Sequence, residues 1–82
     1  MDVKEIRLIL KKMDPNKVRE LRPLLWFEDE TQEWVFEYSF IKKLSDESIA
    51  YRLNFAERKS IYNKALRIIS INFDTIEHFI HK

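Results

Sequence analysis

The 82-residue chain contains no cysteine and no glycine, and only two prolines. Without cysteine there is no disulfide, no thiolate metal site and no cysteine nucleophile, which suits a reducing cytoplasm. Without glycine no glycine-rich phosphate loop can be built, and every turn must rely on Asn, Asp, Pro or Ser. No long hydrophobic run exists: Leu24-Leu25-Trp26-Phe27 is the purest, far short of the roughly 18 residues of a membrane span. Nothing after Met1-Asp2-Val3-Lys4 resembles a signal peptide. A soluble cytoplasmic protein without membrane contact is therefore expected.

What is present is charge and apolar bulk, 35% charged and 45% hydrophobic residues, a balance typical of a folded domain. The length allows one domain with a thin core. A net charge of +1 conceals a segregated pattern. Residues 1–27 balance at +3 and residues 28–41 carry five carboxylates (Glu28, Asp29, Glu30, Glu33, Glu37) without a base. Residues 42–67 return to +4. Local sign sets the field at a surface patch, so an acidic block followed by a basic one is a functional clue, beside the plainer reading of solvated faces.

The periodicity predicts an all-α fold, a single helical domain over 1–82. Helices are expected at 3–13, with Ile6, Leu10 and Met13 inward, and at 15–22, opened by Asp14-Pro15 and broken at Pro23. Glu28 to Thr31 is a polar joint with Asp29 or Thr31 as the next cap. Residues 32–43 fit either a strand or a helix whose inner face is Trp34, Val35, Tyr38 and Ile41. A two-stranded sheet of 34–41 with 69–73 would be marginal, so helix is preferred. Ser45 or Asp46 should cap a helix over 46–53, with Ile49, Ala50 and Leu53 inward and Asn54 ending it. Over 57–70, Ile61, Tyr62, Ala65, Leu66, Ile68 and Ile69 share one side of a wheel. Lys59, Ser60, Asn63, Lys64, Arg67 and Ser70 share the other. The pattern fails near Ile71 and Asn72. Asp74 with Glu77 then reads as the cap of a C-terminal helix within 74–82.

The three segments over 32–70 form a short helix, a tight turn and a longer amphipathic helix, which is the order of a helix-turn-helix unit. Ala50 permits a close crossing, Asn54 tolerates positive φ, and the second helix presents a basic polar face of the kind that enters a major groove. Leu44 to Arg58, and Lys64-Ala65-Leu66 beyond it, resemble the helix-turn-helix of sigma-factor region four. The likeness is greater to the small ArpU-type transcriptional regulators of phages and prophages. It covers about residues 33–69. It implies a tri-helical domain that binds duplex DNA and regulates transcription in a bacterial or phage-infected cytoplasm. Lys59-Ser60-Ile61 stands where Thr and then an aliphatic residue usually open the recognition helix, so its apolar residue comes one place late.

Base-edge contacts are expected from Lys59, Ser60, Asn63 and Arg67, and phosphate contacts from Lys42, Lys43, Arg52 and Lys64. The alternative is a helical interaction module that binds RNA polymerase or another regulator through residues 26–40. No cofactor is expected. His78 and His81 with Glu77 lack a third convincing zinc ligand, and neither carboxylates nor serines have a partner base, so an enzyme is not expected. Ile68, Ile69, Ile71, Phe73, Ile76, Phe79 and Ile80 crowd the C-terminal segment. That surplus suggests a homodimer, or else a fold-back of the last helix onto Ile6, Leu10 and Met13.

Overall fold

The computed structural model describes residues 1–81; Lys82, the end of the expected 74–82 helix, lies outside them. The elements are α1 (Val3–Lys12), α2 (Pro15–Leu21), a 3-10 turn (Arg22–Leu24), α3 (Glu30–Phe36) running into a π-helical segment (Glu37–Ile41), α4 (Asp46–Arg52), α5 (Arg58–Ile71) and α6 (Phe73–Ile80). No strand occurs among the described residues, so the strand alternative for 34–41 and 69–73 is removed. Nor is any described helix long and apolar enough to cross a membrane.

Among the described residues, short polar side chains cap four of the six α-helices. Asp2 and Glu5 form a reciprocal capping box on α1, Asp14 caps α2, Asp29 caps α3 through the Gln32 N–H, and Ser45 caps α4. Pro23 breaks the path less sharply than expected. Arg22 keeps helical angles, and the chain tightens into a 3-10 turn before Leu25 becomes extended.

Helix α5 is the centre of the fold and packs against α1, α3 and α4. Ile61, Ala65, Ile68 and Ile69 are fully buried against Ile6, Leu10, Val35, Phe36, Phe40 and Ile49. Tyr62 and Leu66, expected inward, are half-buried on the margins of that face. Phe27, Phe36 and Phe40 form a run of tilted ring contacts, at 5.7 and 5.2 Å between centroids.

On α3 and the π segment the expected inner face is met in part: Val35 and Ile41 are buried, but Tyr38 is half-buried and Trp34 is exposed. Gln32, Val35, Phe36, Ser39 and Phe40 are buried, at i, i+3, i+4, i+7 and i+8, while Trp34 is 44% exposed. Ile41 joins this face because the π turn holds one more residue than an α turn. Its signature is the Lys42 N–H donating to the Glu37 carbonyl at 2.9 Å.

The π segment ends at Ile41 with Lys42 as its C-cap, and Lys43, the next residue, has φ +61°. The left-handed region is unfavourable for a residue with a Cβ. Lys43 is held there by its own ammonium, which donates to the Leu10 carbonyl at 2.7 Å. Lys11 reaches the other way, donating to the carbonyls of Ser39 and Leu44 at 3.0 and 2.9 Å. Leu10 lies in the last turn of α1, where carbonyls lack helical partners, so this bond serves as a cap. Burial pushes the ammonium groups of both lysines below the usual lysine range. Lys43→Ala and Lys43→Gly should both lose the bond, but only Ala keeps the strain. Ala is expected to be the less stable variant by about 1 kcal/mol in urea melts; equal midpoints would show that position 43 is unstrained.

The break beyond Ile71 falls at Asn72. The expected cap at Asp74 is not formed: α6 begins one residue earlier, at Phe73, and its N-cap position is Asn72. The Asn72 side chain does not cap either, because its amide is engaged elsewhere. Nδ2 donates to the carbonyls of Trp26 and Ile68 at 2.8 and 2.9 Å, and Oδ1 accepts from the Trp26 N–H at 2.8 Å. Asn72 is 6% exposed, so an apolar wheel position is filled by a polar group whose partners are all internal.

Ile68, Ile69 and Ile76 are completely covered, and Ile71, Phe73, Phe79 and Ile80 are half-buried. Phe79 and Ile80 share a cleft with Met13, Lys17 and Glu20, which sets α6 beside the α1–α2 junction. The chain thus covers with its own residues much of the apolar surplus on which the dimer expectation rests.

Candidate nucleic-acid interface

The corner between α4 and α5 is built by a defined helix ending. Asn54 takes φ +60°. The Phe55 N–H donates to the Ala50 carbonyl at 2.8 Å and the Asn54 N–H to the Tyr51 carbonyl at 3.4 Å. These are the two bonds of a Schellman motif, with Asn where glycine is commonest. Phe55 packs back on the core, and Ile49 and Ala50 are buried at the crossing. Arg7 ties the start of α4 to α1 through Asp46 at 3.2 Å and lies over the Tyr62 ring, 4.8 Å from its centroid.

Helix α5 has Glu57 at its N-cap position but no side-chain capping bond, and Arg58 and Lys59 occupy its first turn. Two bases at the positive end of a helix are locally unfavourable. Lys59, Asn63, Arg67 and Ser70 then form one exposed stripe along α5. Ser60 and Lys64 lie half-buried on its flank, and the Lys64 ammonium sits 5.4 Å from the Phe55 ring centroid.

The expected base contacts Lys59, Asn63 and Arg67 are therefore brought together, with Ser60 at their edge. The expected phosphate contacts are scattered. Arg52 is exposed, with its guanidinium 5.7 Å from the Tyr38 ring centroid. Lys42 is exposed at a separate groove of about 690 Å³, bordered by Arg19, Arg22, Trp34 and Tyr38. Lys43 is held inward by the Leu10 carbonyl, which takes it away from a phosphate role.

The acidic block does not stand as a bare patch. Arg22 approaches Glu33 and Glu37 at 3.5 and 3.8 Å. Glu28 grips Arg67: Nε donates to Oε1 at 2.9 Å and Nη2 to Oε2 at 2.8 Å. The Arg67 guanidinium, by these hydrogen bonds, draws the Glu28 carboxyl down to about 2. Its folded value lies below the unfolded one, so the pair's contribution is complete above the ordinary carboxylate range and is lost only as pH falls toward about 2.

Sequence reasoning missed three features here. Glu28 lies 39 residues from Arg67, and no local pattern signals such a pair. Tyr51, 78% exposed, borders a groove with Asn54 and Arg58, a position the wheel of so short a helix leaves open. Trp34 stacks on Tyr38, with centroids 5.6 Å apart, on the outer side of α3. Among the described residues no cluster of His, Asp and Glu could hold a metal ion. Compared with protein-family models, curated proteins and solved structures, the chain matches none.

Proposed function

We propose that the protein binds duplex DNA in a sequence-specific manner and regulates transcription, with α4, the Asn54 turn and α5 as its helix-turn-helix and α5 in the major groove. The setting is a bacterial or phage-infected cytoplasm. One observation carries this reading: α5 has a fully buried side anchored to three helices, and an opposite stripe of Lys59, Asn63, Arg67 and Ser70 that is solvent-exposed. A rigidly mounted helix with a polar, basic outer face has the form that groove recognition requires. The bases in the first turn of α5, unfavourable in the protein alone, gain a partner when a phosphate lies beside them.

A titration of mixed duplex DNA by fluorescence anisotropy tests it. Neutralising about five phosphates gives a slope of log affinity against log salt of roughly −4 to −5. Affinity that does not change between low and moderate salt would falsify the reading. A second reading is favoured by a separate observation: Trp26 and Trp34 are 62% and 44% exposed. That exposure suits a helical interaction module that docks RNA polymerase or another regulator through residues 26–40.

A further inference from the structure

The pairing of Glu28 with Arg67 is tighter than an exposed ion pair needs to be. The two side chains are 34% and 58% exposed, a setting in which ion pairs add little stability. Even so, the carboxylate is braced from the core outward. Gln32, 4% exposed, donates from Nε2 to Glu28 Oε1 at 2.7 Å and accepts the Glu28 N–H at 2.8 Å. Two parallel bonds between planar groups then fix both the place and the plane of the Arg67 guanidinium.

A guanidinium carries five N–H donors. Glu28 engages the side edge, formed by Nε and Nη2. The end edge, formed by Nη1 and the second hydrogen of Nη2, is left over. Two parallel N–H groups of this kind match O6 and N7 of guanine in the major groove. We propose that Glu28 is a positioning residue for base readout: it holds Arg67 so that the end edge of its guanidinium reads a guanine, which makes G·C the preferred pair opposite Arg67. The proposal rests on the DNA-binding reading above and adds the base and the residue that selects it. A long side chain already ordered loses less freedom when the base arrives. Because the two edges differ, carboxylate and guanine bind one guanidinium at the same time.

The test starts from duplexes enriched from a random pool by the wild-type protein, then varied one base pair at a time. Wild type, Glu28→Gln, Arg67→Ala and the double variant are titrated by anisotropy, with circular dichroism as the folding control. In Glu28→Gln an amide faces Nη2, so the fork is lost while the shape is kept. The wild type should prefer G·C at one position by about 10- to 100-fold. Glu28→Gln should lose about 10-fold of that ratio, with unchanged or higher affinity for unrelated duplex. In the Arg67→Ala background it should change nothing further. Arg67→Lys, which keeps the charge and leaves Glu28 intact, should lose the preference as well. If Glu28→Gln keeps the ratio, or tightens binding to all duplexes alike, the carboxylate only competes with DNA and the proposal is overturned while DNA binding stands. If the wild type binds no duplex, both readings fall together.

Discussion

An Ile76→Asp chain is expected to be unfolded at 25 °C. Ile76 is completely buried where α6 meets the shared core, and a carboxylate there would be set into the apolar cluster. Losing the apolar burial removes about 2–3 kcal/mol, and confining a carboxylate costs several kcal/mol more. A chain of this length has a total stability of roughly 4–12 kcal/mol, so little or none remains. Circular dichroism and sedimentation together decide the matter. If the variant stays helical but drops from dimer to monomer mass, α6 is held by a second copy rather than by its own core. The homodimer through the C-terminal segment would then stand, with recognition helices set about 34 Å apart on a two-fold operator.

Asn72→Ala is expected to remove about 3 kcal/mol. The side chain ties the Trp26 backbone, at both its N–H and its carbonyl, to the end of α5. Truncation leaves those groups without partners, at about 1–3 kcal/mol for each that water does not reach. Asn72→Asp should be no better, since a second carboxylate oxygen would face the carbonyls of Trp26 and Ile68. Urea denaturation at neutral pH measures the loss. A change under about 1 kcal/mol in Asn72→Ala would mean that water replaces the amide and that the tie is dispensable.

The position of Asn72 was legible in the sequence; its role was not. A wheel shows that a polar residue has landed among apolar ones, but not that a backbone 46 residues earlier is waiting for it. The same limit divides the rest of the fold. Helix starts at Asp14 and Ser45, the left-handed Asn54 and the buried side of α5 follow from local rules, and the structure shows each of them. The inner face of α3 and the π segment followed only in part. A 100° wheel groups Trp34 and Tyr38 with Val35 and Ile41, whereas the buried stripe runs through Gln32, Val35, Phe36, Ser39 and Phe40. In addition, the π turn shifts the phase within the helix. At the candidate interface the stripe of α5 was readable, because exposure follows from periodicity. What Glu28 does to Arg67, and Leu10 to Lys43, was not, because those contacts close long loops.

Those long loops set a timetable for the growing chain. Helices α1 and α2 are made first, with Ile6, Leu10, Val18 and Leu21 turned toward a core that does not yet exist. The partners of Arg7 and of Trp26 come 39 and 46 residues later. At about 5–20 residues per second, the wait lasts roughly 2–10 s, far longer than a helix takes to form or fray. During translation the apolar sides of the first two helices therefore wait without cover until the later elements that pack on them have been made, α5 on α1 and the π segment on α2.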